Sequence, residues 1–288
     1  VDPKTGELIF FSWRTEHPFA YYSVISGDGR RVVWEEPIPG IMKIPYIVDG
    51  HKHKSEGKPV IYFDPNTPTQ FGIIPRYFDG SKHEVVWFES RACHIFHTAN
   101  AWNETDADGN VVAICLTACR SERFISQINL WQPPTPGGYG GGVTEEEYKT
   151  EYGPPGSGDY TKQQPDEPFM TLFRFDFKTK ETQMTTLSTI GSEFPVINFD
   201  RYTQPDLKYV YGATTAPLTP NTGIKFDGIV KTDILALIKR KNELLSARQL
   251  KNAGGEGQWE LGVQELQSME KHTTQRHTFG PHTFGSEA

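Results

Sequence analysis

CHIFHTANAWNETDADGNVVAICLTAC, residues 93–119, holds two runs rich in β-branched and aromatic residues on either side of the turn signal ETDADGN. Such runs around an Asp/Gly/Asn turn read as an antiparallel hairpin. The same arrangement recurs. SGDGRR stands between AYYSVI and VVWEE, DFKTKET stands between LFRF and QMTTL, and DPKTGE precedes LIFFSW. Phe173, Phe175 and Phe177 alternate with Arg174, Asp176 and Lys178, the period of a strand with one buried face. The chain is therefore mostly β. Many short strands over more than 250 residues suggest a propeller or a large sandwich, and with no exact repeat of WD type the reading leans to an irregular propeller.

Two segments depart from this pattern. Residues 132–168 are dense in Pro, Gly and charge and read as a surface insertion in an otherwise single domain spanning 1–288. TDILALIKRKNELLSARQLK, 232–251, places its apolar residues at helical spacing after a Thr or Asp cap and is the one helix expected.

Composition narrows the partners. The 288 residues are 36% hydrophobic, and the net charge of −7 argues against a phosphate-binding surface, so nucleic acid is not expected. Three cysteines without CxxC spacing point to a reducing compartment, the cytosol. No apolar run reaches the length of a bilayer span, and no basic-then-apolar leader pattern is seen. The chain begins at Val1 without a methionine, and both ends read as cut.

Neither a nucleophile elbow, a P-loop, a dinucleotide fingerprint nor an HExxH helix occurs. Cys93 beside His94 reads as packing, because strand neighbours face opposite ways. Histidine carries what chemistry there is. On an ideal strand His94 and His97, three apart, face opposite sides and cannot share a metal; the ordinary account of each is a buried, hydrogen-bonded histidine. His51 and His53 lie in a Lys/Gly loop, His17 and His83 at turns, and His272, His277 and His282 in a polar stretch with no ligand spacing.

Seven stretches, in order along the whole chain, nevertheless resemble the carotenoid cleavage oxygenase family with its lignostilbene- and resveratrol-cleaving relatives. They are VDPKTGEL (1–8), FGIIPR (71–76), FHTANAW (96–102), EFPVINFDRY (193–202), KYVYGAT (208–214), FDGIVKTDI (226–234) and HTFGSEA (282–288). The resemblance implies an all-β, seven-bladed β-propeller, incomplete here, with loop and helical insertions. It implies Fe(II) held by four histidines, with glutamates accepting hydrogen bonds from the ligand imidazoles. The implied reaction is O2-dependent scission of a conjugated C=C bond of an apolar carotenoid, apocarotenoid or stilbene into two carbonyl products. Residue by residue, His97 matches an iron ligand, and Glu193 and Glu287 match two of the supporting glutamates. The family's other three histidines have no counterpart: two would lie beyond Val1 and Ala288, and no His-Asp pair occurs between the WEEPIPG and FGIIPR stretches. The rival expectation is an inactive fragment or a non-catalytic propeller that binds an apolar ligand or a protein. Peripheral membrane contact and oligomeric state are left open.

Overall fold

A computed structural model describes residues 2, 4–13, 20–37, 46–48, 61–77, 84–122, 167–215, 226–249 and 261–280. Three small antiparallel sheets come first: β1 (Leu8–Trp13), β2 (Ala20–Ile25) and β3 (Val32–Pro37); β4 (Tyr46–Val48) with β5 (Ile61–Phe63); β6 (Thr69–Ile73) with β7 (Val86–Ser90). The main body is a seven-stranded antiparallel meander made of β8 (His94–Thr105), β9 (Val111–Ser121), β10 (Phe169–Asp176), β11 (Thr182–Ile197), β12 (Tyr209–Thr215), β13 (Phe226–Asp233) and β14 (Thr274–Thr278). The all-β class stands, and the described residues include two α-helices, α1 (Ile234–Gln249) and α2 (Val263–Thr273). Most of the 132–168 insertion lies outside the described residues.

The hairpins close as their turn residues dictate. In the β8–β9 turn, Asp106 Oδ1 accepts from the Asp108 and Asn110 backbone N–H groups, and Gly109 takes the positive φ of 84° that a side chain would resist. The β10–β11 turn repeats the device: Asp176 Oδ1 accepts from the Lys178 and Thr179 N–H groups, which with Arg174 holds its carboxyl down at about 2. Asp2 and Asp28 do the same elsewhere.

The meander buries both faces. One packs Phe88, Cys93, Ala118, Phe173 and Phe175 into an apolar cluster, so the alternating phenylalanines do point into a core. The other packs Cys119, Leu172, Leu187, Val210 and Leu237, with the helices as a cover. Asp233 caps α1, its Oδ1 accepting from Ala236 N at 2.9 Å. The second helix corrects the expectation of one. α2 buries only Leu266, Met269 and Glu270, too thin an apolar stripe to stand out in a polar segment. Its local signal was Glu265, whose Oε2 accepts the Gly262 N–H at 2.8 Å.

Strand β11 changes partners partway. Thr182–Thr186 pair with β10, Gly191 pairs with Phe169, and Ser192 to Ile197 pair with β12. Gly191 leaves room for the Glu167 side chain, which a Cβ there would displace, meeting its Oε1 at 2.2 Å. Burial pushes the Glu167 carboxyl up to about 7, with Arg276 drawing it back and Asp227 adding to the rise. An acid whose folded pKa exceeds its unfolded value of 4.5 binds its proton more tightly when folded. Its stabilising contribution is therefore complete below that value and is lost as pH rises to about 7. Glu167→Gln removes this titration. The variant is expected to gain about 1–3 kcal/mol on the wild type between acid and pH 8, measured by urea unfolding across that range; a constant difference would refute the assignment.

Candidate functional site

His97 and Glu193 meet. His97 Nδ1 lies 2.8 Å from Glu193 Oε2, although 96 positions separate them in the chain. In sheet order β8 and β11 are three steps apart, roughly 14 Å in a flat sheet at the usual strand spacing. The change of partners in β11 brings them within reach, because the strand leaves β10 just before Glu193.

Each residue also sits at a β-bulge. Ile95 pairs with Arg120 and Thr98 with Ala118, so Phe96 and His97 together face Cys119. The extra residue resets the alternation, as bulges do. This corrects the expectation that His94 and His97 face opposite sides. His94 pairs with Ser121, two residues from Cys119 and so on the same face of β9. The Phe96 ring touches both imidazoles, at centroid distances of 5.1 Å from His94 and 5.4 Å from His97. On β11, Glu193 pairs with Ala213 and Val196 with Tyr211, leaving Phe194 and Pro195 opposite Gly212. Phe194 has φ of 52°, a left-handed backbone that costs a non-glycine residue about 1–3 kcal/mol.

The electrostatics follow from this geometry. The Glu193 side chain is 5% exposed against 39% for His97. Burial pushes the Glu193 carboxyl up, opposed by hydrogen bonds from His97 and from the Phe194 backbone N–H, which donates to the same Oε2 at 3.0 Å. With Nδ1–H donating to a carboxylate, the imidazole keeps its lone pair on Nε2, the nitrogen a metal would take. Among the described residues no group of three or more His, Cys, Asp or Glu side chains converges as a metal cage. Glu287, His17, His51, His53, His83 and His282 lie outside the described residues; His272 is on α2 and His277 on β14.

The thiols are packing groups. Burial foremost raises all three: Cys115 to about 12, helped by Glu104, Cys119 well up, helped by Glu193, and Cys93 as well. None is a poised nucleophile.

Sequence reasoning passed over two residues here. Asn100 of FHTANAW is buried, donates from Nδ2 to Gln204 O at 3.1 Å and accepts Thr203 N–H at 2.9 Å, pinning the 198–208 loop to β8. Phe194 touches both members of the pair, and only its place beside Glu193 marked it.

The family model described as retinal pigment epithelial membrane protein matches residues 1–288, and the chain belongs to this carotenoid oxygenase family. It is similar to a carotenoid 9,10(9',10')-cleavage dioxygenase 1 of Pisum sativum, 30% identical over 249 residues, covering 79% of this chain and 39% of the relative. It is also similar to carotenoid dioxygenase carX of Gibberella fujikuroi, at 27% over 296 residues, 85% and 42%. Among solved structures, a cobalt-substituted apocarotenoid oxygenase from Synechocystis aligns with TM-score 0.55 at 17% identity, covering 96% of this chain and 47% of that one. A lignostilbene dioxygenase of Pseudomonas brassicacearum aligns at 0.54 and 19%, over 81% and 48%. The chain spans about two fifths of the length of these curated relatives.

Proposed function

We propose that this chain is part of an iron(II) dioxygenase that cleaves a conjugated C=C bond of a carotenoid, apocarotenoid or stilbene. The observation that carries the reading is the His97–Glu193 hydrogen bond, supported by family membership and the relatives' names. In this reading the fold is a seven-bladed propeller. His97 Nε2 is one of four imidazole ligands, and Glu193 and Glu287 are two of the carboxylates that brace them. The reaction balances without a reductant: the C=C bond breaks and each carbon takes one oxygen atom of O2 to become a carbonyl. Bound iron(II) would supply the activation of O2. The chain's own contribution is to hold one imidazole as the Nδ1–H form and to set rings beside it. Reduced thiols fit the cytosol as its compartment.

The competing reading is a non-catalytic member that binds an apolar ligand or a protein. It draws on the lack of a closed ligand cage among the described residues. The two separate in one experiment. The 288-residue chain, loaded with Fe(II) without oxygen and desalted, is expected to keep well under one iron per chain and to leave a polyene or stilbene uncut. The complete coding sequence of the same locus, treated alike, is expected to hold one iron and yield two carbonyl products labelled from 18O2. Iron-free full-length protein with no product would overturn the oxygenase reading; stoichiometric iron and cleavage by the 288-residue chain alone would overturn the need for further ligands.

A further inference from the structure

We propose that Phe194 is the positioning residue of the His97–Glu193 pair: its N–H donates to the carboxylate while its left-handed backbone sets its ring against the imidazole. It bears on catalysis only through the reading of His97 as a ligand, but the positioning itself needs no metal.

Three observations converge on this one residue. Its φ of 52° departs from strand geometry at the bulge, two strand positions before Val196 re-pairs with Tyr211. Its N–H donates at 3.0 Å to Glu193 Oε2, the same oxygen that lies 2.8 Å from His97 Nδ1. Its ring centroid lies 4.9 Å from the His97 ring and is backed edge-on by Phe226 at 5.2 Å. With Phe96 stacked at 5.4 Å, the imidazole has an aromatic ring from each of two strands against it.

The physical logic is over-determination. A carboxylate on a strand has rotamer freedom, and a single hydrogen bond to a half-exposed imidazole does not remove it. A second donor on the same oxygen does; with Val196 anchored on Tyr211, an extended residue 194 would force the 193–194 peptide to rotate and carry that N–H off the carboxylate. Strained backbone persists only where its surroundings enforce it, and here the ring contacts with His97 and Phe226 do so.

The test is spectroscopic and is run on the metal-free 288-residue chain. Long-range 15N–1H correlations report which His97 nitrogen carries the proton. Wild type is expected to show the Nδ1–H form. F194G and F194N, whose backbones accept a left-handed turn, are expected to keep it, and F194V, β-branched and unsuited to that turn, to lose it. Persistence of the Nδ1–H form in folded F194V would overturn the proposal. Its loss in folded F194G would do so too, by assigning the ring alone the role. A second readout stands even if F194V does not fold: the residue-194 amide proton is expected to move in E193Q in both the wild-type and F194G backgrounds, and an unmoved signal would refute the hydrogen bond.

Failure here is separable from failure of the iron reading. Tautomer loss in F194V with no iron bound by the full-length protein keeps the positioning and removes the ligand role. Full iron binding with an unchanged tautomer in F194V does the reverse.

Discussion

Glu193→Gln is expected to lower the affinity of His97 for a divalent transition metal by about 10–100-fold while leaving stability within about 1 kcal/mol. The two halves of this expectation come from different properties of the same carboxylate. Glutamine keeps an oxygen that can accept from both the His97 Nδ1–H and the Phe194 N–H, so neither donor is orphaned. Burial already disfavours the charged form of Glu193, so removing the charge relieves a cost rather than adding one. What glutamine lacks is the negative charge that polarises the imidazole and raises the basicity of Nε2. A Co(II) titration followed through the His97 ring resonances reads the affinity as a ratio, which serves even where a lone imidazole binds weakly. Glu193→Ala separates the effects: it also orphans both donors and is expected to destabilise. Equal affinity in wild type and Glu193→Gln would show that the carboxylate only packs the site.

Local chemistry was legible in the sequence, and long-range pairing was not. The turns at Asp106 and Asp176 could be read because an aspartate satisfies backbone donors within four residues of itself. The phenylalanines of β10 and the helix α1 could be read because their periodicity is carried by large apolar side chains. A bulge is different: the extra residue between Ile95 and Thr98 exists only relative to Arg120 and Ala118, so strict alternation misplaced His94 relative to His97. The partner change in β11 is likewise a property of three strands at once. The His97–Glu193 pair was accessible only through family resemblance, since nothing local links residues 96 positions apart. α2 was hidden because the side chain that anchors it is a glutamate.

That glutamate supplies the largest expected effect on stability: Glu270→Ala should cost about 3–5 kcal/mol. Glu270 is buried on α2, where its Oε1 accepts from Ser188 Oγ at 2.5 Å and Thr189 N–H at 2.6 Å, and its Oε2 from Thr189 Oγ1 at 2.6 Å. These donors stand at the point in β11 between its pairing with β10 at Thr186 and its pairing with β12 at Ser192. The carboxylate therefore takes the place of a missing strand neighbour, and Ser188 Oγ accepts Ile190 N–H at 3.0 Å to complete the bridge. Alanine would leave three donors without an acceptor, one buried on Ser188 and two part-buried on Thr189, each worth about 1–3 kcal/mol, partly recovered as the hydroxyls rotate. Glu270→Gln keeps one acceptor oxygen and lets Thr189 Oγ1 accept instead, so about half the loss is expected. Denaturant unfolding should show the midpoint falling in that order at constant slope. A loss under about 1 kcal/mol for Glu270→Ala would mean that water replaces the carboxylate, and that α2 does not hold the bend which carries Glu193 to His97.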